Sequence, residues 1–521
     1  MTRKLVKSTL TVGSMTLISR ILGLARDMVF ARFGIDAGMD AFFVAFKIPN
    51  LLRRQFAEGA FSQAFVPVLG EYKVQKGEDA VRELISRVSG SLALVLLGIT
   101  IVGILVFPWL ILEYGPSVVE NQQKLVLTAD MLVITLPYIF FISLTALAGG
   151  VLNTYKRFAV PAFTPVFLNL CLIGASLWLA PLMPEGYEVK ALAWGILIAG
   201  MVQLVFQFPF LARLKLLVWP KYGFSHPGVQ KIMRLMLPAI LGSAVVQINL
   251  MIDIVIAYAL LPDGAVSWLT FSDRLVEFPL GVFGIAIATV VLPSLSQHHA
   301  KTDPEKFSNV LDWGIRWSLL IGLPAMAGLI LLAGPLLTTI FNYGQFDQHD
   351  VLMSQMSLFA YASGLLAFIM VKVLTPGFYS RQDTKTPVRI AVIAMLINMV
   401  LNFAFVLPWL HYELPGPHTG LAIATAISAI LNAGVLLLTL KRQGVYKVGS
   451  GWGAFSLQIG AGLLLMVALL FLAVPSLESW FEWPYWQRAI MLAVWVSAGA
   501  LVYFVGLYLF GFRFGKFRAL H

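Results

Sequence analysis

Charged residues are scarce in this chain of 521 residues: they make up 12% of it, whereas 59% of the residues are hydrophobic. Soluble domains carry about 25% charged residues, so the composition excludes a water-soluble enzyme. The single cysteine, Cys171, can form neither an intrachain disulfide nor a cysteine metal cluster. The composition therefore predicts an all-α polytopic membrane protein.

Metal-binding and nucleotide-binding patterns are also lacking. The seven histidines fall in predicted connections or at the end of the chain, without the spacing of metal ligands. There is no Walker-type glycine loop, so ATP is not expected to be the direct energy source. We therefore expect no cofactor, apart from the candidate sodium ion discussed below.

Fourteen apolar stretches are long enough to cross a bilayer, for which a helix needs about 20 residues. The first contains Arg20, Arg26 and Asp27 and lacks a small-residue cleavage site, so we expect it to be retained rather than removed as a signal. The predicted spans are 8–34, 39–70, 84–112, 124–152, 158–183, 189–212, 230–261, 265–297, 308–341, 352–379, 386–410, 416–440, 453–475 and 485–511.

The positive residues alternate with these spans. If both termini are cytoplasmic, the inside segments hold 25 lysines and arginines and the outside connections hold three, Lys124, Lys190 and Arg488. Such a bias is typical of the inner membrane of bacteria, and a miscounted span would invert it. The net charge of +11 is spread over short loops, so it does not indicate nucleic-acid binding.

An internal repeat of about 226 residues divides the chain. The matching segments, at offsets of 224 to 229 residues, are 66–69 with 292–295, Pro108 and Tyr114-Gly115 with Pro335 and Tyr343-Gly344, and 155–161 with 379–387. Chance is the alternative, because helix ends attract proline. The repeat predicts two parallel six-helix lobes, 1–225 and 226–450, around a central cavity, followed by two C-terminal helices in 451–521. Matched lobes are typical of alternating-access transporters.

Ionisable residues concentrate in spans 1, 2 and 8. An ionised side chain at the bilayer centre costs at least about 2.5 to 3.5 kcal/mol, so each must face protein, water or a charged ligand. Arginine forms paired hydrogen bonds with phosphate and keeps its proton, so the pattern indicates an anionic, phosphate-bearing substrate. The residues are Arg20, Arg26, Asp27, Arg32, Asp40, Lys47, Arg53, Arg54, Glu58, Asp273, Arg274 and Glu277.

Two roles remain open for these residues. We assign substrate contact to Arg20, Arg26, Arg53 and Arg274, with interhelical ion pairing as the alternative. Asp27, Asp40, Glu58, Asp273 and Glu277 are assigned to a gate or to ion pairs; Asp273 and Glu277 lie one helical turn apart, well placed to receive arginines from span 1 or 2. The side chains of Arg32, Lys47 and Arg54 are equally suited to extend toward a membrane interface.

Long, uncommon segments along nearly the whole chain closely resemble the MurJ (MviN) family of lipid II flippases. They are SRILG at 19–23, ARD at 25–27, DAFFVAFK at 40–47, PNLLRR at 49–54, FAEGAFSQAFVP at 56–67, DRL at 273–275, EFP at 277–279, PGFYSRQD at 376–383 and KTP at 385–387. The resemblance matches the family's cavity arginines to Arg20, Arg26, Arg53 and Arg274 and its important acidic residues to Asp40, Asp273 and Glu277.

The resemblance implies the fold of the multidrug, oligosaccharidyl-lipid and polysaccharide exporter superfamily. It also implies transfer of lipid II, an undecaprenyl-diphosphate disaccharide-pentapeptide, to the periplasmic leaflet for cell wall synthesis, with membrane lipids and the cell wall synthesis machinery as partners. The C-terminal helices would border a groove for the lipid tail, although span 13 also fits an ordinary lipid-facing helix.

Other functions fit the sequence less well. A flippase for another polyprenyl-diphosphate glycan remains an alternative, as does a membrane transferase acting on such a lipid. A transferase needs acidic or histidine-bearing loops for magnesium, which the short loops here lack, so we expect no enzyme activity. A drug antiporter takes cationic substrates, which clustered arginines would repel.

A sodium site is a further candidate. Asp253 is a lone carboxylate in span 7, and Asn398 and Asn402 lie one turn apart on span 11. Carboxylate and amide oxygens are hard ligands that suit sodium, and some members of the resembling family are reported to bind sodium between these helices. The alternative is that Asp253 is protonated or hydrogen-bonded and that the asparagines join helices.

Overall fold

The computed structural model describes residues 3–53, 61–115, 119, 121–300 and 303–513. Regular structure in these residues is entirely helical. The chain forms two compact units, Met1–Ser267 and Trp268–His521. The prediction of an all-α protein is confirmed, since a backbone in hydrocarbon must satisfy its polar groups within each helix.

The helices of the first unit are α1 (Arg3–Phe30), α2 (Ala37–Arg53), α3 (Phe61–Gln75), α4 (Gly77–Tyr114), α5 (Gln122–Thr135), α6 (Tyr138–Thr154), α7 (Ala159–Phe163), α8 (Pro165–Gly174), α9 (Lys190–Arg213) and α10 (Pro227–Leu260). A 3₁₀ turn follows α1 at Ala31–Phe33, and a π-helical turn, Ala175–Leu179, continues α8. The core joins α3, α4, α6 and the start of α10, where Phe65, Leu84, Val151 and Ile232 are buried.

Helix α11 (Ala265–Pro279) begins at the end of the first unit and continues into the second, which contains α12 (Ile285–Ala300), α13 (Pro304–Leu331), α14 (Ala333–Phe341), α15 (Gln348–Leu374), α16 (Pro376–Tyr379), α17 (Lys385–His411), α18 (Thr419–Arg442), α19 (Trp452–Ala473), α20 (Leu477–Glu482) and α21 (Tyr485–Leu509). A π-helical turn, Leu280–Gly284, joins α11 to α12.

Eleven helical segments of the described residues are long and apolar enough to cross a membrane. They correspond to eleven of the predicted spans. The other three spans correspond to α1, to α2 with α3, and to α10. Helix α1 and the pair α2 and α3 carry the clustered charges. In α10, the side chains of residues 237–248 lie outside the described part. The protein is a multi-span membrane protein, whereas the count of fourteen stays a prediction.

The boundary between the compact units lies after α10. Val229, Ile232 and Met236 of this helix pack into the first unit's core, so α10 groups with the six preceding spans. The repeat instead assigns α10 to the second lobe. The repeat is a property of the sequence, whereas the compact units reflect how the helices pack, so the two divisions need not coincide. The division into 1–225, 226–450 and 451–521 stays a prediction.

The C-terminal helices α19 and α21 pack closely against each other. A Cβ atom at Gly506 would lie 2.9 Å from the Cα of Gly462, so only glycine permits this approach. The connection before α19 is fastened to α13 by Asp312, whose carboxylate accepts hydrogen bonds from the Tyr446 hydroxyl (2.9 Å) and the Trp452 indole (2.8 Å). This pair of helices is thus anchored to α13 at the start of α19.

Candidate functional site

Arg26 and Asp27 form a buried ion pair in α1. Only 7% of Arg26 and 5% of Asp27 is exposed. One carboxylate oxygen of Asp27 accepts from Nη2 (2.6 Å) and Nε (2.9 Å) of Arg26. Nη1 of Arg26 also donates to the Asn169 amide oxygen at 3.1 Å, and the Asn169 amide group donates to the Ser19 carbonyl at 2.9 Å. A carboxylate adjacent in sequence therefore pairs with Arg26 at this buried position.

Arg20 lies six residues earlier on α1, about 9 Å along the helix axis. It is half-buried, and no residue that the structure describes forms an ion pair with it. Arg32, in the 3₁₀ turn after α1, is exposed. The first helix thus carries one arginine with a carboxylate partner and one whose charge is available to a ligand.

Asp40, at the start of α2, is fully buried and binds the first turn of α11. Its carboxylate accepts from the Gly264 amide (2.9 Å), the Ser267 amide (2.9 Å) and the Ser267 hydroxyl (2.6 Å). The amide groups of a helix N-terminus favour a negative charge, which explains the position of the carboxylate. The structure places this predicted gate residue where it joins α2 to the end of the first unit.

Lys124 is a functional candidate that the sequence analysis missed. It is 1% exposed, and its Nζ lies 2.9 Å from Asp263 and 3.3 Å from Asp40. Burial raises the pKa of Asp263, but hydrogen bonds from Lys124 and Asn121 outweigh this effect and hold that pKa below its ordinary value. The available signal was a lysine at the start of a span on the side where bases are rare.

Arg274 of α11 pairs with Glu277 of the same helix at 3.1 Å, and both side chains are about one-third exposed or more. The opposite face of α11 is buried: the Ser272 hydroxyl contacts the Ser354 carbonyl (2.7 Å) and the Ser357 hydroxyl (2.8 Å) of α15. This packing turns Arg274 and Glu277 away from the core of the second unit. Asp273 is half-buried, and the predicted pairing of Asp273 and Glu277 with arginines of spans 1 and 2 stays a prediction.

Three predicted residues cannot be placed. Arg54 and Glu58 lie outside the described residues, and for Arg53 only the backbone, at the end of α2, is described. Lys47 is half-buried in α2. The assignments of Arg53 and Glu58 therefore stay predictions.

The two asparagines of the candidate sodium site are fully buried in α17. The Asn402 amide donates to the Asn398 oxygen at 3.3 Å, and the Asn398 amide donates to the Thr425 hydroxyl at 3.4 Å. Asp253, 9% exposed, belongs to α10 in the first unit. In the described residues, no cluster of three or more His, Cys, Asp or Glu side chains is suited to hold a metal. The site that combines Asp253 with the asparagines stays a prediction.

Comparisons with known proteins give the same family for the whole chain. The family model "Lipid II flippase MurJ" matches residues 29–490. A relative from Vibrio cholerae serotype O1, "Probable lipid II flippase MurJ", is 45% identical over 99% of this chain and 98% of its own length. "Lipid II flippase MurJ" of Burkholderia cenocepacia is 41% identical over 99% of both chains.

Solved structures agree with this result. "Lipid II flippase MurJ, inward closed conformation" matches with a TM-score of 0.79 and 28% identity, over 96% of this chain and 98% of that one. A multidrug resistance MATE family transporter of the MOP superfamily, in an inward-facing conformation, matches with a TM-score of 0.67 and 15% identity over 83% of this chain and 97% of that one, which shows a shared fold. From its sequence and its fold, the chain belongs to the lipid II flippase MurJ family.

Proposed function

We propose that this chain flips lipid II, the undecaprenyl-diphosphate-linked precursor of peptidoglycan, from the cytoplasmic to the periplasmic leaflet by alternating access. The proposal rests on membership of the family, on relatives whose names state this activity, and on arginines held at membrane depth. The chemistry of those arginines fits the diphosphate group, the part of this substrate that is most costly to move through hydrocarbon.

The buried Arg26–Asp27 pair is the observation that carries the proposal. Two guanidinium nitrogens of Arg26 donate to one carboxylate oxygen of Asp27, and arginine also forms charge-assisted hydrogen bonds with phosphate oxygens. A diphosphate entering beside Arg20 can replace Asp27 as the acceptor, so Arg26 exchanges one anion for another without becoming unpaired. Such an exchange gives the substrate a different affinity for the two conformations, which alternating access requires.

The contacts of Asp40, Lys124 and Asp263 supply a closure at one end of the first unit. Lys124 joins the two carboxylates, and Asp40 also holds the amide groups of Gly264 and Ser267. In the proposed orientation this end is periplasmic. Breaking these bonds opens the first unit to the periplasm, and remaking them closes it after release of the substrate.

The location and orientation follow from the charge bias. With both termini in the cytoplasm, 25 positive residues lie inside and three outside, so we place the protein in the bacterial inner membrane. Its partners are then lipid II, the surrounding membrane lipids and the enzymes of cell wall synthesis that make and use the substrate.

The relatives are named as flippases, that is, transporters, and we assign no catalytic step to this chain. A transferase would change the covalent structure of the lipid, whereas a flippase changes only the leaflet in which it resides. Reconstitution of the purified chain in liposomes with labelled lipid II separates the two. We expect the label to become accessible to a membrane-impermeant reagent while its mass stays unchanged.

Protein-free liposomes, and liposomes with the Arg26→Glu variant, serve as controls for this assay. A changed mass, or no increase in accessible label above the protein-free level, would contradict the proposed function. Depletion of the protein in cells, followed by measurement of lipid II exposure on the periplasmic side, tests the same activity in the native membrane.

A further inference from the structure

An apolar cleft lies in the first unit between α4 and α10, outside the cluster of ionisable residues described above. It is a partly open groove with an empty volume of about 490 Å³, which includes space open to the surroundings. Its walls include Val88, Leu92 and Val95 of α4, Ile232 of α10, and Phe224 of the connection before α10. Hydrocarbon is the occupant that such walls favour.

One polar side chain, Ser91, lines this cleft. Ser91 is 3% exposed, and its hydroxyl has no hydrogen-bond partner among the described residues. Serines in helices commonly donate to the carbonyl four residues earlier, as Ser176 does to Leu172 at 3.0 Å. A buried hydroxyl without a partner is costly, so Ser91 indicates a ligand that brings a hydrogen-bond acceptor into the cleft.

The connection 214–226, which we call the strap, lies along α4 beside the cleft. The Lys221 amide donates to the Ser86 carbonyl (2.9 Å), and the Ser86 hydroxyl donates to the Trp219 carbonyl (2.6 Å). A Cβ atom at Gly90 would collide with the backbone of Lys221, so glycine permits this contact. The strap is therefore fixed along α4 from Ser86 to Gly90, directly beside Ser91.

The strap and the neighbouring helix ends present positive charge together with aromatic rings. Trp219 is 87% exposed and Tyr222 is 63% exposed. Two neighbouring basic residues pair with acids: Arg87 with Glu83 and Lys231 with Glu71. Lys215 and Lys221 are exposed and form no ion pair with a residue that the structure describes. Exposed tryptophan, tyrosine and lysine are typical of a surface at the level of lipid headgroups.

The mouth of the cleft faces the side on which apolar residues are exposed. Val95 is 36% exposed and Met233 is 41% exposed, and both line the cleft. On α4 the neighbouring Leu94 and Leu97 are about half exposed, as expected for a helix face in contact with lipid. A chain of hydrocarbon can therefore enter from the bilayer without crossing a polar surface.

We propose that this cleft binds one anionic phospholipid, with an acyl chain between α4 and α10, an ester carbonyl at Ser91 and the phosphate group at Lys221 and Lys215. Apolar walls, a donor and a basic strap occur in the order in which a phospholipid presents its chain, ester and phosphate. The site is separate from the arginines assigned to lipid II and binds a lipid that remains in its leaflet.

Photolabelling in nanodiscs tests the proposal with the full-length protein. The probes are phosphatidylglycerol and phosphatidylcholine with a photoactivatable group on one acyl chain, and a photoactivatable polyprenyl diphosphate. We expect phosphatidylglycerol to label residues 88–99 and 229–236, and unlabelled phosphatidylglycerol to compete. Lys221→Gln should weaken labelling about fivefold, the effect of about 1 kcal/mol per basic residue near a membrane surface. Ser91→Ala should weaken it by a similar factor through loss of one hydrogen bond.

Matched variants distinguish binding in the cleft from nonspecific effects of a substitution on labelling. Val95→Trp fills the mouth and should abolish labelling, whereas Val102→Trp, on the exposed face of the same helix, should leave it unchanged. Lys441→Gln, at the basic end of α18, is the control for Lys221→Gln. Equal labelling by phosphatidylcholine would overturn the requirement for an anionic headgroup. Preferential labelling by the polyprenyl diphosphate would overturn the proposal and assign the cleft to the transported lipid.

Discussion

Arg26 in the first unit and Arg488 in the second are both more than 90% buried, but their partners differ in kind. Arg26 pairs with the Asp27 carboxylate and one amide oxygen. Arg488 donates only to neutral oxygens in its recorded bonds: the carbonyls of Trp483 and Phe481 (both 2.8 Å) and the side chain of Asn342 (3.0 Å). Burial and charge alone therefore do not distinguish a transport residue from a structural one.

The difference in partners indicates different functions. A guanidinium held by carbonyl oxygens from several segments cannot move without leaving all of them unsatisfied, so Arg488 fixes α14, α20 and the start of α21 together. A guanidinium whose charged partner is a carboxylate can exchange that anion for a phosphate at little cost. We infer that the type of partner marks Arg26 as exchangeable and Arg488 as fixed.

Reversing the charge of Arg26 should have the largest effect. Arg26→Glu places two carboxylates side by side and removes two or more charge-assisted bonds to the diphosphate, each worth about 1.5–3 kcal/mol. We expect lipid II transport per folded molecule in liposomes to fall about 100-fold or more, to the protein-free level, and the melting temperature to fall as well, because Asp27 loses its buried partner. Arg26→Lys keeps the charge but loses the planar fork, so transport should recover in part.

Arg442→Glu, at the exposed end of α18, is the matched control for a reversed charge outside the site and should transport normally. Transport at the wild-type rate by Arg26→Glu would show that Arg26 does not bind the substrate. It would also show that a carboxylate partner does not identify an exchangeable arginine.

Replacing Arg488 should instead affect stability. Arg488→Met fills similar volume but leaves the carbonyls of Trp483, Phe481 and Asn342 without their donor. We expect a loss of about 2–3 kcal/mol in the free energy of unfolding, seen as a lower melting temperature in detergent. Transport per folded molecule should stay near wild type. Arg513→Met, which removes an exposed arginine bound to the Tyr508 carbonyl, should change neither. A folded but inactive Arg488→Met would contradict the structural assignment.

Lys124 extends the comparison of Arg26 with Arg488, because it is a buried cation with two carboxylate partners. Lys124→Met leaves Asp40 and Asp263 without their shared cation, so the closed form of this end should become less populated. We expect labelling of Thr128→Cys, in a Cys171→Ser background, by an impermeant thiol reagent added from outside to rise about fivefold, a shift of about 1 kcal/mol. Lys190→Met, which breaks the more exposed pair with Asp130, is the control.

Protonation of Asp263 should weaken this closure only well below neutral pH. The folded-state pKa of Asp263 is lowered, so its contribution to the closed form is complete above the ordinary value of 3.8 and is lost as the pH falls through the lower folded value. The ratio of Thr128→Cys labelling at pH 5.5 to that at pH 7.5 should therefore be the same with Asp263 and with Asp263→Asn. A smaller ratio with Asp263→Asn would contradict the lowered pKa, and unchanged labelling in Lys124→Met would show that Lys124 and Asp263 do not close this end.

Much of the fold could be predicted from the sequence, because apolar length and the alternation of positive loops follow from the bilayer alone. Pairing could not. Asp27 and Asp40 are predicted to serve in a gate or in ion pairs, but the sequence does not reveal their partners. Asp27 pairs with the adjacent Arg26, and Asp40 binds Lys124, 84 positions away. Arg488 was counted as an outside charge, although α21 begins at Tyr485 and buries it. Which cation meets which oxygen depends on helix packing, which periodicity does not determine.

The dependence of transport on sodium should be the smallest effect. A bound sodium ion would be a cation held by neutral and acidic oxygens together. Asp253 is buried in α10, and Asn398 and Asn402 are buried one turn apart in α17. If they form one site, replacing sodium by choline should slow wild-type transport a few-fold, and Asp253→Ala should transport at the same reduced rate in both buffers. Asp263→Ala removes a carboxylate from the same unit and should keep the sodium response.

Coupling of transport to the membrane potential alone predicts a different pattern, since moving one charge across the field is worth about 2.3 kcal/mol per 100 mV. In that case wild type and Asp253→Ala would respond equally to an imposed potential and not at all to sodium, and the asparagines would serve only to join α17 to α18 through Thr425.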